Sequence, residues 1–513
     1  MLRAFSVALF ATCLTLAAQS SSAWEARHVA FHSALSSITA ADVRQYVNAL
    51  SDDTFEGREA GSRGGRAAGI YLVKKLQACG LRGGGPAGSF YQKFGGGNNI
   101  LAVLDGSDPE FKKQFIVVGA HYDHVGYGTA RNSYGPTGYI HNGADDNASG
   151  VAGQLEVIEA LSKLEERPKR SILFAFWDGE EKGLLGSKHW TQSPTVPLAQ
   201  VPIAINTDMI GRLRKGKLEA IGCRTSTGLR RIIGLANDDP ALWIDFNWEM
   251  KENSDHHTFF ARRIPVLMFH TGLHGDYHRP SDDAEKINAD GLQQVAQLMF
   301  KVIVDLADAP RLTPFRAASQ SESPSTQKEV ERPLPALPGR LGVRWKTHPN
   351  PAEAIIVESV MPGSPGARGG LKPGDRLIKL NDEDLVTPED LRALVLTAKN
   401  PVTITVERPG EKEPLSLVLQ LAGSPVRIGI SWHEDPAEPG VVMLNRVTPG
   451  SPAARSGLRL FDRVYQVAGQ NFASGEEFRT LITTLPSPIE LLVESRGQTR
   501  RIALELPPAD EVK

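Results

Sequence analysis

The chain has 513 residues, 41% of them hydrophobic and 23% charged, with a net charge of −2. That composition excludes a disordered or fibrous chain, and the near-neutral balance excludes a global basic field that would gather nucleic acid or anionic lipid. The length predicts about three domains at roughly 150 residues each, so function has to be sought in a local site.

The first element begins with Arg3, continues through an apolar run from Ala4 to Ala18 and ends at the small residues Ser21-Ser22-Ala23. This reads as a signal peptide over residues 1–23 and predicts an exported protein, periplasmic or extracellular. The rival reading, an uncleaved anchor, is disfavoured because the run is too short for a comfortable membrane span. Cys13 leaves with the signal. Cys79 and Cys223 remain, too few for a disulfide framework even where export permits one.

Residues 24–309 alternate strand and helix signals. FIVVGA (115–120), SILFAFW (171–177), VPIAIN (201–206) and IPVLMF (264–269) are continuous apolar runs, as expected of strands buried on both faces. Between the first two, residues 148–164 carry apolar positions at helical spacing. The predicted fold is α/β: a three-layer sandwich around a mostly parallel central sheet.

Residues 310–338 are rich in Pro, Ser and charge, a composition that reads as a linker. The chain then repeats itself. PGSPGARGGLKPGDRLIKLND (362–382) returns as PGSPAARSGLRLFDRVYQVAG (449–469), preceded by Leu341-Gly342-Val343 and Ile428-Gly429-Ile430 respectively. The pattern resembles two PDZ domains of the bacterial type, over residues 339–424 and 425–508. The resemblance implies small β-rich domains that take peptide or C-terminal ligands by adding a strand at a sheet edge. Phe461 stands where the first repeat has Gly374, which predicts a different local turn.

The chemistry concentrates just after the apolar runs of the first segment. His121 and Asp123 come after the first run, and Asp145-Asp146-Asn147 precedes the helix. Asp178, Glu180 and Glu181 come after the second run, Asp208 after the third and Tyr277-His278 after the last. In open α/β sheets, ligands sit beyond the carboxyl ends of the strands. Each piece alone has an ordinary explanation: His-x-Asp is commonplace, Asp-Asp before a helix is often an N-cap, and Glu-Glu is often a solvated face. Together they would repel one another unless a cation compensates. His121, Asp146, Glu181, Asp208 and His278 are five donors of the kind zinc takes, enough for two ions that share one carboxylate.

Residues 40–300 resemble the co-catalytic di-zinc aminopeptidases, the bacterial secreted leucyl aminopeptidase type, to which glutamate carboxypeptidase II and glutaminyl cyclase are related. The resemblance is carried by residues 50–72, GAHYDHVG (119–126), NGADDNASGVAG (142–153), FWDGEEKGLLGS (176–187), INTDMIGR (205–212) and DYHRPSDD (276–283). It implies two Zn²⁺ per chain, with Asp146 as the bridge, His121 and Asp208 at one ion and Glu181 and His278 at the other. It further implies Glu180 as general base, Asp123 orienting His121, and Tyr277 as a donor to the oxyanion. Asp145 is the alternative bridge, and Asn147 stands where some relatives carry Asp. His124 and His141 flank the site, His256-His257 read as fold or pocket support, and His274 competes with His278 but lacks its Tyr-His-x-x-x-Asp context. The implied activity is removal of the N-terminal residue from peptides or proteins with a free N-terminus. The alternatives are a glutaminyl cyclase-like acyltransferase and a non-catalytic peptide-binding protein.

Overall fold

The computed structural model describes residues 28–238, 241–346 and 355–507; the expected signal peptide lies outside them. The chain forms two compact units, divided near Gln327. Among the described residues no helix is long and apolar enough to cross a membrane.

The first unit is built on nine strands: β1 (Arg82–Gly83), β2 (Tyr91–Phe94), β3 (Gly97–Leu104), β4 (Phe115–His121), β5 (Ser171–Trp177), β6 (Ile203–Thr207), β7 (Lys217–Ile221), β8 (Trp243–Asn247) and β9 (Val266–His270). They form one sheet in the order β1-β3-β5-β4-β6-β9-β7-β8, with β2 paired to β3. The four apolar runs are its centre, β5-β4-β6-β9, and these strands are mutually parallel. The flanks differ: β3 runs antiparallel to β5, and β7 antiparallel to β9.

Side chains alternate across each central strand and so feed two layers. Ile116, Val118 and Ala120 of β4 and Ile172, Phe174 and Phe176 of β5 pack with the helices α1 (Ala40–Leu50), α2 (Arg63–Ala78), α3 (Gly150–Ser162) and α6 (Ala289–Asp308). Val117, Leu173, Ala175 and Trp177 face the other way, onto Trp190 of α4 (Leu185–Gln192) and Phe259 of α5 (His256–Ala261). This is the expected three-layer sandwich. Burial of each of the Val, Ile, Leu and Phe side chains contributes about 1.5–3 kcal/mol. Helix entries are set locally: Ser62 accepts from Gly65 N (3.0 Å) and Asn288 from Gly291 N (3.0 Å).

Part of the segment read as a linker is folded. Arg224 and Arg316 both pair with Glu322, Ser226 donates to the Thr313 carbonyl (2.7 Å), and Arg316 N donates to the Thr225 carbonyl (2.7 Å). Ion pairs and backbone hydrogen bonds anchor it to the first unit, interactions that an apolar count does not register.

The second unit holds two antiparallel sheets. The first contains β10 (Val343–Lys346), β11 (Ile356–Val360), β12 (Arg376–Leu380), β14 (Val402–Glu407) and β15 (Leu415–Leu419), in that order, with the short β13 (Glu383–Asp384) on β12. The second contains β16 (Ile430–Glu434), β17 (Val442–Val447), β18 (Arg463–Val467), β19 (Ile489–Ser495) and β20 (Gln498–Leu504). The repeated Gly-Ser-Pro has a local cause. Ser364 and Ser451 cap the short helices Pro365–Arg368 and Pro452–Arg455, with Pro at the first helical position. Gly342 and Gly429 lie at φ +74 and +89, and a Cβ on either would meet the capping serine's Cβ at 2.3 and 2.1 Å. Contrary to expectation, Phe461 keeps the turn of Gly374. Both have positive φ, 68 and 93, and each amide donates to the equivalent carbonyl, Leu444 and Val357 (2.8 Å each).

Candidate metal centre

Because β4, β5, β6 and β9 run the same way, their carboxyl ends open at one rim. β4 ends on His121, β5 leads at once into Asp178, Glu180 and Glu181, and β6 into Asp208. The segment after β9 returns through Tyr277 to His278, which sits at φ +50. A further contributor precedes α3: residues Ala144–Ser149 form a wide, irregular turn in which Asp146 is extended (φ −103, ψ 94) and the Asp146–Asn147 peptide is cis. The expected helix therefore starts at Gly150.

These side chains meet. His121 Nε2 lies 3.3 Å from Asp146 Oδ1 and 3.4 Å from Asp208 Oδ1. His278 Nε2 lies 3.1 Å from Asp146 Oδ2 and 3.1 Å from Glu181 Oε2. Asp146 thus turns one oxygen to each group. Two ligands of one tetrahedral zinc, bonded at 2.0–2.2 Å, stand about 3.3 Å apart, which is the spacing found here. His278 Nε2 is buried and has no hydrogen-bond partner despite its two carboxylate neighbours. That unpartnered nitrogen, pointing between two carboxylate oxygens, is placed as a metal ligand would be. The donor set fits a pair of zinc ions.

The donor groups also contain two residues beyond the five expected ligands. Glu180 joins His121 and Asp208, and His124 joins Asp146, Glu181 and His278, with one potential ligand atom from each residue of a group within 4.8 Å of the others. His124 Nδ1 is 2.8 Å from Glu181 Oε1, a hydrogen-bond distance, which leaves Oε2 facing His278. Its signal in the sequence was its place three residues after His121. Asp123 is fully buried. Its Oδ1 lies 3.7 Å from His121 Nδ1 and accepts from Glu180 N (3.0 Å), while its Oδ2 accepts from Glu181 N (3.4 Å). It braces both β4 and β5 ends.

A supporting layer lies beneath. Asp282 Oδ2 accepts from Asp145 N (2.9 Å) and Asp146 N (3.1 Å), and Oδ1 takes Arg212 (2.8 Å). Asp145, the alternative bridge, points away: it accepts from Gly211 N (2.6 Å) and faces His274 Nε2 at 3.1 Å. His274 therefore has a carboxylate partner but stands outside both donor groups. His141 bonds Ser133 (2.7 Å), and His256 is buried beside α5's start. Arg58, in the matched stretch 50–72 but without an expected role, is buried. It donates to the carbonyls of Leu50, Tyr122, Asn142 and Gly143 at 2.6–2.9 Å, tying three separate loops under the site.

The electrostatics arise from crowding. Burial alone would raise Asp146, but the imidazoles of His121, His278 and His124 override it and hold the carboxyl well below its usual range. Glu181 is likewise lowered: its bonds to His124 and His278 overcome burial and the charge of Asp146. Glu180 goes the other way, raised by burial and by Glu181, Asp255 and Asp208. Two adjacent glutamates are driven apart, the one toward ligation and the other toward proton affinity. Tyr277 stacks on the His278 ring at 3.9 Å between centroids, and burial with nearby carboxylates keeps its phenol protonated. Together with His121, Asp146, Glu180 and Asp208 it lines a cleft of about 450 Å³.

Residues 99–303 match the model of Peptidase family M28. The first unit is a family M28 peptidase domain. Residues 356–408 match the PDZ domain model, and the second repeat has the same strand and helix order apart from β13, which has no counterpart there among the described residues. The chain is 32% identical over 266 residues to leupeptin-inactivating enzyme 1 of Streptomyces exfoliatus, an alignment covering 48% of this chain and 52% of that protein. It is 28% identical over 224 residues to an aminopeptidase of Pseudomonas aeruginosa, covering 38% of each. The chain thus spans about half the length, or less, of these curated relatives. The crystal structure of a leucine aminopeptidase precursor from Bacteroides thetaiotaomicron superposes at TM-score 0.44 with 22% identity, over 52% of this chain and 97% of that one. The M28 match begins at β3 and closes within α6, so it contains all five predicted donors.

Proposed function

We propose that the chain is an exported, zinc-dependent aminopeptidase that removes the N-terminal residue from peptides, with PDZ units that bind peptide or protein partners. The single observation that carries this reading is the division of Asp146: Oδ1 toward His121 and Oδ2 toward His278, each at ligand spacing. His121 and Asp208 would hold one zinc, Glu181 and His278 the other, with Asp146 between them.

A bound zinc pair lowers the pKa of a water toward 7 and polarises the scissile carbonyl. Glu180 accepts the proton of the attacking water and returns it to the leaving nitrogen, a role that a buried, high-affinity carboxyl suits. Asp123 fixes both glutamates by their amides. His124 holds Glu181 Oε1, which leaves Oε2 toward His278 and would orient it for a metal, as outer hydrogen bonds to metal ligands do. Tyr277 donates its O–H to the tetrahedral oxygen. The carboxylates at the cleft, Glu180 and Asp208 among them, favour the protonated α-amine.

The test combines metal analysis with mass spectrometry of a peptide bearing a free N-terminus. Two zinc ions per chain and stepwise shortening from the N-terminus are expected, with no product from the N-acetylated peptide. An Asp146→Asn variant should lose zinc from both positions. Internal cleavage of the blocked peptide, cyclisation of N-terminal Gln in place of hydrolysis, or no turnover by the zinc-loaded chain would each overturn the reading. The last two are the outcomes expected of a glutaminyl cyclase-like acyltransferase and of a non-catalytic binding protein.

A further inference from the structure

We infer that Arg58 is a positioning residue for the metal pair: its guanidinium holds the segment of Asp146 against the exit of β4, and so sets zinc affinity at both positions. This rests on the zinc reading of the site. Arg58 is 1% exposed. The carboxylates of Asp146, Asp123, Asp282 and Glu181 favour its charge, but among the described residues none pairs with it directly. Its donors go to main-chain carbonyls on several sides instead. Nε donates to Tyr122 (2.8 Å), which stands between His121 and Asp123. Nη1 donates to Leu50 (2.7 Å) and Asn142 (2.6 Å), and Nη2 to Gly143 (2.9 Å). One planar group therefore joins the end of β4 to the two residues that enter the turn Ala144–Ser149, where Asp146 lies.

The clamped segment is the one that places the ligands. Gly143 (φ +55) is wedged: a Cβ there would meet the Asp146 carbonyl oxygen at 2.2 Å and His124 Cδ2 at 2.5 Å. A shift of Gly143 therefore moves Asp146 and His124 together. The main chain adds to the clamp. The Arg58 carbonyl accepts from His124 N (3.3 Å), and the Gly57 carbonyl from Gly126 N (3.1 Å). Glu56, Gly57 and Arg58 have φ 51, 67 and 50, a left-handed run that non-glycine residues seldom adopt and that persists where its surroundings enforce it. Lysine is no substitute, because an ammonium donates from a single atom and cannot face Tyr122 and Gly143 at once. Charge alone would act in the opposite direction, since a buried cation repels a zinc pair nearby. Geometry and charge thus predict opposite consequences of losing Arg58.

The experiment measures zinc affinity at both positions by chelator competition, on the full chain and well below the melting temperature of each variant. Arg58→Lys keeps the charge and loses the fork, and should weaken both positions by about 10–100-fold. Arg58→Gln should weaken both as well. The control is Arg170→Lys. Arg170 is 2% exposed and donates to the carbonyls of Leu306, Ala307 and Ala309, but it precedes β5, at the end of that strand away from the donors. Its replacement should lower the melting temperature and leave zinc affinity as in the parent. Should Arg58→Lys fail to fold, Gly143→Ala displaces the clamped segment with Arg58 in place, and both positions should weaken again. Parent-like affinity in the Arg58→Lys or Gly143→Ala chain, weakening at one position only, tighter zinc in Arg58→Gln, or an equal loss of affinity in Arg170→Lys would overturn the inference while leaving the metal centre standing. A parent chain that takes up no zinc would instead defeat the zinc reading, and this inference with it.

Discussion

The M28 domain and the PDZ-like unit use polar side chains over very different distances along the chain. Ser364 and Ser451 each accept from the amide three residues on, at Ala367 and Ala454. Asp282 reaches back 137 and 136 positions to the amides of Asp145 and Asp146, and Arg58 spans up to 85 positions to bind four carbonyls. The repeat can therefore be damaged one turn at a time. The metal centre is an assembly in which each buried charge depends on neighbours brought by other strands, and an unpaired buried charge is costly. The difference teaches where a substitution's effect should surface: as lost chemistry at the rim of the large sheet, as local loosening in the small ones.

The largest expected effect is at Glu180. Glu180→Gln keeps the shape of the side chain and removes its proton affinity, so kcat should fall by about 10²–10⁴-fold while zinc content and the melting temperature stay as in the parent. Zinc analysis beside steady-state kinetics checks it. Retained turnover would mean that Glu180, which stands among the donors of one group, does not carry the proton.

Smaller is the loss at His124. If it positions Glu181, then His124→Ala should weaken one of the two zinc sites by about 10–100-fold and leave the other unchanged. Chelator competition reads this directly as the loss of affinity at one position with the other as in the parent. Equal weakening at both sites would show that His124 supports the shared carboxylate of Asp146, which it approaches at 3.8 Å, more than it supports Glu181.

The smallest effects belong to the repeat. Ser364→Ala and Ser451→Ala should each cost about 1 kcal/mol, seen as faster hydrogen exchange at the amides of Ala367 and Ala454. Hydrolysis of a tripeptide should be untouched by either. A cap substitution that changed tripeptide turnover would erase the contrast between the two units.

Much of this contrast was legible in the sequence. The four apolar runs mark the parallel centre of the sheet because strands buried on both faces must be apolar throughout. Four of the five candidate donors followed those runs and Asp146 preceded α3, and parallel strands bring their carboxyl-end loops to one edge. The antiparallel flanks were less visible: β7 and β8 alternate in burial and carry charge, and neither presents a continuous apolar stretch. The folded part of residues 310–338 was hidden for a related reason, since its ion pairs to Arg224 and its backbone bonds to Thr225 lie in partners some ninety positions away.

By itself the sequence determined the strand centre and the capped turns of the repeat and supplied five candidate donors, because each arises from periodicity, local hydrogen bonding or the chemistry of one residue type. The tertiary structure alone decided that Asp146 rather than Asp145 faces both imidazoles, that His124 takes one oxygen of Glu181, and that Arg58 ties three loops beneath them. These are statements about which partner a polar group meets, and partners across a sheet are set by strand order and register, which no local pattern encodes.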